Sequence, residues 1–148
     1  LNNPKILILD EPTAGLDPNE RIRFRNLISE LSEDRLVLLS THIVSDIEYI
    51  ANEILLMKDG KLMHKGTADE IINSMTETVW ECFVEKNMVS DFMKKYKISN
   101  MKSEADGVIL RIISHEKPFV NAQSVEASLE DVFLYYFGEK AGDENAAI

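Results

Sequence analysis

Two adjacent carboxylates, Asp10 and Glu11, follow directly after a short apolar segment of this chain. That segment, residues 6–9, has the length and composition of a buried strand, and Pro12 and Gly15 indicate a turn behind the carboxylates. A strand that delivers two carboxylates into such a turn can hold a hard metal ion with one group and a water molecule with the other. The arrangement is typical of folds that handle phosphate groups.

A second apolar segment, residues 36–39, ends in Ser40, Thr41 and His42. The carboxyl ends of parallel strands form the edge at which open α/β sheets bind ligands. We therefore expect both sets of polar side chains at one edge of a sheet. Each residue also has a plainer interpretation, as a turn aspartate, a solvated glutamate or a structural histidine.

Taken together, segments 6–18 and 36–42 resemble the Walker B strand, D-loop and H-loop of ABC-type ATPases. The resemblance implies that the chain handles ATP and Mg²⁺. It implies that Asp10 holds Mg²⁺ through its water shell, and that Glu11 is the general base or orients the water that attacks the γ-phosphate. It makes His42 the second catalytic residue, in contact with the γ-phosphate.

Asp17 has two expected roles. It can cap a helix, because Pro18 suits the first helical position and Glu20 lies three residues beyond the cap, as in a capping box. In the family it also reaches across a dimer to the nucleotide site of the other subunit. Asp10, Asp17 and His42 are therefore the expected nucleotide-binding residues.

The surrounding pattern indicates an α/β fold. Short continuous apolar strands, typical of strands covered on both faces, alternate with amphipathic helices in residues 1–74. Asp59 and Gly60 predict a two-residue hairpin turn, and Thr67 predicts the cap of a short helix. The resemblance makes this unit the C-terminal part of a P-loop ABC ATPase core, a parallel sheet with flanking helices. The predicted buried stripe of its first helix comprises Phe24, Leu27, Ile28 and Leu31.

A small α+β accessory or regulatory domain is predicted for residues 75–137, and a flexible tail for 138–148. Alternation predicts strands at 78–84 and 108–113, and Ser128 begins a last helix. That helix is similar to the closing helix in the ATPase subunits of bacterial multidrug and bacitracin-type exporters. A helical stripe between the strands comprises Val89, Phe92, Met93 and Tyr96.

Two segments of the resembled family have no counterpart in the chain. It contains no G-x-x-x-x-G-K-[ST] loop, whose backbone N–H groups and lysine would cradle the phosphates, and no Leu-Ser-Gly-Gly segment. It also opens at Leu1 without a methionine. We therefore expect half of a catalytic domain, inactive on its own.

Composition narrows the possible partners. The 148 residues carry 16 basic and 26 acidic side chains, a net charge of −10, which argues against binding to nucleic acid or to an anionic membrane surface. Apolar segments fall far short of the roughly 20 residues that span a bilayer, so no direct membrane insertion is expected. Cys82 cannot form an internal disulfide, which favours a reducing compartment. His64 and His115 are expected to be ordinary surface residues.

The resemblance implies an ATP-hydrolysing subunit of a bacterial ABC exporter. Its expected partners are a transmembrane permease subunit and a second ATPase subunit, and its expected location is the cytoplasm, peripheral to the inner face of the cell membrane. Two alternatives stay open: a soluble ABC ATPase that acts on ribosomes or DNA, and an isolated regulatory or interaction module.

Overall fold

The structure is a computed structural model that describes residues 4–138. Residues 1–3 and all of the predicted tail except Gly138 lie outside the described residues. The elements run in the order β1 (Ile6–Asp10), α1 (Pro18–Leu31), β2 (Leu36–Ser40), α2 (Val44–Ile50), β3 (Ile54–Lys58), β4 (Lys61–Gly66), α3 (Ala68–Asn73), β5 (Thr78–Val84), a 3₁₀ turn (Lys86–Met88), α4 (Val89–Lys95), β6 (Lys97–Ser103), β7 (Val108–Ser114), β8 (Gln123–Val125) and α5 (Leu129–Phe137). This mixture of strands and helices confirms the α/β class.

Strands β1 and β2 pair in parallel, from Ile6 opposite Leu36 to Asp10 opposite Ser40. Helix α1 connects them, as a parallel pair requires a crossover. The register matters for the site, because it sets the last residue of β1 directly beside the last residue of β2.

The N-cap of α1 agrees with its sequence signals, but of the two hydrogen bonds of a capping box the structure shows only the one to the Asp17 side chain. Asp17 Oδ1 accepts a hydrogen bond of 2.9 Å from the backbone N–H of Glu20, and proline occupies the first turn. The predicted buried stripe is only partly correct. Ile28 is buried, whereas Leu27 is half exposed. The remaining two residues of the stripe are intermediate.

The expectation that β1 and β2 are covered on both faces is wrong for the described residues. Side chains on one face are half-buried, but those on the other are open to solvent. The exposed fractions on that outer face are 58% for Ile6, 70% for Ile8, 63% for Leu36 and 51% for Leu38. No second layer within residues 4–138 packs on this face.

The β3–β4 hairpin turns at the predicted dipeptide. Asp59 and Gly60 have φ values of 50° and 72°, the left-handed conformation that a two-residue turn of this kind requires. Helix α3 then begins with a full capping box. Thr67 Oγ1 accepts from the N–H of Glu70, and Glu70 Oε2 accepts from the N–H of Thr67.

The second sheet, within the described residues, is antiparallel with the strand order β6-β7-β5-β8. Strands β6 and β8 are additions to the sequence prediction, since neither has a clear apolar alternation. The predicted stripe of α4 is wrong at Met93, which is half exposed. The buried core between the sheet and α4 comprises Cys82, Val84, Phe92, Leu110, Ile112 and Ala122.

Helix α5 packs on α2 and α3 and also contacts β6 of the second sheet. A second buried cluster forms there from Ile54, Ile71, Leu129 and Val132. This packing crosses the predicted boundary between residues 74 and 75. The division into two domains stays a prediction.

Candidate active site

The parallel register brings the two polar segments together at one edge of the β1–β2 sheet. Asp10 lies opposite Ser40, and the Ser40 hydroxyl donates a hydrogen bond to Asp10 Oδ1. One residue further, the backbone N–H of Glu11 donates to the carbonyl oxygen of Ser40 over 2.8 Å. The ends of β1 and β2 are therefore fixed relative to each other, and so are the segments that follow them.

The Glu11 carboxylate is held through both of its oxygens. Oε1 accepts from the backbone N–H of His42 over 3.1 Å and lies 2.9 Å from Nδ1 of the same histidine. Oε2 accepts from the Thr41 hydroxyl over 3.1 Å. That hydroxyl also accepts from the N–H of Ile43 over 3.1 Å, directly before α2. The carboxylate, the histidine and the start of α2 thus form one connected group.

The backbone of Glu11 is in an unusual conformation. Its φ of 44° lies in the left-handed region, which residues other than glycine occupy rarely and at a cost of about 1–3 kcal/mol. The hydrogen bond that the Glu11 N–H donates to the Ser40 carbonyl, and those that its carboxylate accepts from Thr41 and His42, offset that cost. The contacts with Thr41 and His42 hold the carboxylate at the edge of the sheet.

The charge of this group follows from its contacts. The hydrogen bond from His42 is the main cause that lowers the pKa of Glu11, with further lowering by the Thr41 hydroxyl and by charge on His42 that together outweigh partial desolvation. Glu11 is therefore ionised at neutral pH, and its carboxylate can accept a hydrogen bond from a water molecule. His42 itself is largely exposed, with 72% of its side chain open to solvent.

The residues at this edge fit a Mg²⁺ ion that keeps most of its water shell. Asp10 is exposed and supplies a carboxylate, and Ser40 supplies a neighbouring hydroxyl oxygen. Residues 4–138 contain no group of three or more His, Cys, Asp and Glu side chains able to hold a metal ion. Proteins usually hold Mg²⁺ through one or two carboxylates together with substrate phosphates, so a group of three protein ligands is not required. Asp17 is engaged separately, as the cap of α1.

Sequence reasoning did not single out the positions of several polar residues. The sequence pattern does not predict that Thr41 donates a hydrogen bond to Glu11. The only signal for this contact is a hydroxyl group at the end of a strand. Thr13 and Asp46 are almost fully buried, at 1% and 2% exposure. Within the described chain, Thr13 Oγ1 and Asp46 Oδ2 have no hydrogen-bond partner. No pattern in the sequence marked either residue as buried.

The expectation for His64 is wrong. It is partly buried, and its Nε2 lies 2.6 Å from the hydroxyl of Tyr136 on α5. His115 is exposed, as expected of a surface residue. The sequence could not show the contact of His64, because 72 residues separate the two partners.

Proteins of similar sequence carry names from one family. An uncharacterized ABC transporter ATP-binding protein of Methanocaldococcus jannaschii is 31% identical over 135 residues, which cover 90% of this chain and 47% of that protein. The uncharacterized ABC transporter ATP-binding protein YhcH of Bacillus subtilis is 29% identical over 154 residues, covering 94% of this chain and 49% of that protein. The chain belongs to the ABC transporter ATP-binding proteins.

Other members of the ABC family match shorter parts of the chain. The energy-coupling factor transporter ATP-binding protein EcfA2 of Clostridioides difficile is 42% identical over 74 residues, covering 49% of this chain and 26% of that protein. The chain spans at most about half the length of these ABC relatives. No protein-family model matches it. In the part of the chain that the structure describes, no helix has the length and apolar character needed to cross a membrane.

Proposed function

We propose that the protein containing this chain is the ATP-hydrolysing subunit of a bacterial ABC exporter, which couples hydrolysis to transport through a separate membrane permease. One observation carries the proposal. The Glu11 carboxylate is fixed by Thr41 and His42 at the sheet edge, next to the exposed Asp10. Phosphoryl transfer to water depends mainly on positioning and charge neutralisation, and this group supplies a positioned, ionised carboxylate.

Each residue has a distinct role in this proposal. Asp10 holds Mg²⁺ through its water shell, and the ion when bound neutralises charge on the phosphate oxygens. Glu11 accepts a hydrogen bond from the attacking water and orients it towards the γ-phosphate. Its lowered pKa makes it a weak base, so orientation of the water is its larger contribution. His42 is exposed enough to contact the γ-phosphate.

The proposal includes partners. The protein works as a dimer, in which Asp17 of one subunit reaches the nucleotide site of the other, and its location is the inner face of the cell membrane, where the permease holds it. The likeness of α5 to the closing helix of multidrug and bacitracin-type exporters supports the exporter assignment. Because an energy-coupling factor protein is among the relatives, the direction of transport needs its own test, by uptake and efflux assays with the permease in vesicles.

The intact protein provides the test of the catalytic proposal. Glu11→Gln removes a charged oxygen without a change of size, so turnover should fall about 10²- to 10⁴-fold while ATP binding persists and closed dimers accumulate. His42→Ala should also lower turnover. Glu104→Gln is a matched control, because Glu104 pairs with Lys102 at the surface, away from β1 and β2. Unchanged ATPase rates in the Glu11 and His42 variants would remove both residues from the mechanism.

A further inference from the structure

Helix α5 presents two different buried surfaces. Leu129 and Val132, one turn apart, are 5% and 1% exposed and pack in the cluster with Ile54 and Ile71 of the first unit. Asp131 lies between them in sequence, is 1% exposed, and points to the second sheet instead. A helix of nine residues thus uses neighbouring positions to bind two separate parts of the chain.

The contact to the second sheet is an ion group around Arg111 of β7. Its Nε and Nη2 donate to the Asp131 carboxylate over 2.8–3.2 Å, and its Nη1 donates to Glu81 of β5 over 3.1 Å. Nη2 also donates to the carbonyl of Glu126 over 2.6 Å. Asp131 in turn accepts from the N–H and hydroxyl of Ser128 and completes the capping box of α5. The start of α5 is therefore tied to β5 and β7 at once.

The end of α5 is also held from two sides. From the hairpin, Lys58 Nζ donates to the carbonyl of Tyr136 over 2.6 Å, and His64 pairs with the Tyr136 hydroxyl. From β6, Lys97 Nζ donates to the carbonyl of Tyr135 over 3.0 Å. Each end of the helix thus contacts both parts of the chain.

The same helix touches the element that follows the candidate active site. Helix α2 begins two residues after His42, and its Val44 and Ile47 pack on the cluster that contains Leu129 and Val132. A small, partly open apolar pocket of about 40 Å³ lies among the residues of this cluster. Packed interiors transmit displacement, because side chains at native density have little room to move independently.

We propose that α5 mechanically couples the second sheet to α2 and, through α2, to His42. The ion pair between Arg111 and Asp131 attaches α5 to the sheet, and the packing of Leu129 and Val132 attaches it to α2. A change in the second sheet, such as the binding of a partner protein there, would then alter the position of His42, the residue proposed to contact ATP. The regulatory meaning rests on the proposed function, but the physical coupling does not.

The test is amide hydrogen exchange on this chain, without nucleotide, in wild type and Asp131→Asn. The asparagine keeps an acceptor for the Ser128 N–H but loses the charge that pairs with Arg111. We expect exchange to rise at least about tenfold in both α5 and α2, while the amides of β5 and β7 keep their protection. Glu104→Gln, which breaks an exposed ion pair between Lys102 of β6 and the residue directly after that strand, is the control and should leave the exchange of α2 and α5 unchanged.

Three outcomes would overturn the proposal. A rise confined to α5 would show that α2 is not coupled, and no rise in α5 would show that Asp131 does not fasten it. A uniform rise that includes β5 and β7 would mean that the whole chain unfolds as a single cooperative core, without a specific coupling through α5. If Asp131→Asn fails to fold, Val132→Ala gives the same readout from the α2 side without touching Arg111. All these outcomes are independent of ATPase activity.

Discussion

The outer face of the β1–β2 sheet is exposed, so a substitution there should lower the free energy of unfolding less than the same substitution at a buried position. Ile8 on this face is 70% exposed, so only about 30% of its surface is buried, whereas Ile28 on α1 is 4% exposed. Full burial of an isoleucine side chain contributes about 1.5–3 kcal/mol. Ile8→Thr, which keeps the β-branched shape, should therefore cost about 0.5–1 kcal/mol or less.

The same substitution at Ile28 is the matched comparison. It removes packing in a filled site and buries a hydroxyl group, so its cost should exceed about 2 kcal/mol. Urea unfolding followed by circular dichroism at several protein concentrations measures both free energies. A cost of about 2 kcal/mol or more for Ile8→Thr, independent of protein concentration, would refute the exposure of this face in the monomer. A cost that appears only at high concentration would indicate self-association through the face.

Three further predictions concern the isolated chain. Calorimetric titration with Mg-ATP should show no micromolar binding, because the chain contains no phosphate loop; such binding would require a different phosphate site. The amides of Leu36–Ser40 should exchange faster than those of Val108–Ser114 in a dilute monomer, because among the described residues β2 pairs only with β1 and its outer face is uncovered; equal protection would contradict this. Burial raises the pKa of Asp131, but hydrogen bonds from Arg111, Ser99 and Ser128 outweigh it and hold the pKa below its ordinary value. The ionised carboxylate therefore stabilises the fold at pH values above its ordinary pKa of about 3.9, and this contribution is lost as the pH falls through the lowered pKa. The free energy of unfolding should consequently fall less steeply with decreasing pH in Asp131→Asn than in the wild type.

Local signals in the sequence were sufficient wherever the interacting groups are close along the chain. The cap at Asp17, the capping box at Thr67 and the turn at Asp59 each depend on residues within three or four positions, and each is confirmed. The adjacency of Asp10 and Glu11 is likewise a property of the sequence. Because β1 ends at Asp10, both carboxylates must lie at the carboxyl end of that strand.

Contacts between residues far apart along the chain could be predicted from the sequence only in part. The resemblance indicated that His42 and the Asp10–Glu11 pair share a site, and the parallel register of β1 and β2 brings them together. Strands β6 and β8 escaped prediction, since an edge strand needs little apolar alternation of its own when a neighbour supplies the pairing.

Tertiary structure alone decided which side chains hold the site in place and which faces stay open. Thr41 meets Glu11 across 30 residues, and Asp131 meets Arg111 across 20, because strand pairing and helix packing set those distances. The left-handed backbone of Glu11 carries a cost that is compensated by the hydrogen bond its N–H donates to Ser40 and by those its carboxylate accepts from Thr41 and His42. Sequence determined the types of groups available, and the packing of distant segments determined which of them meet.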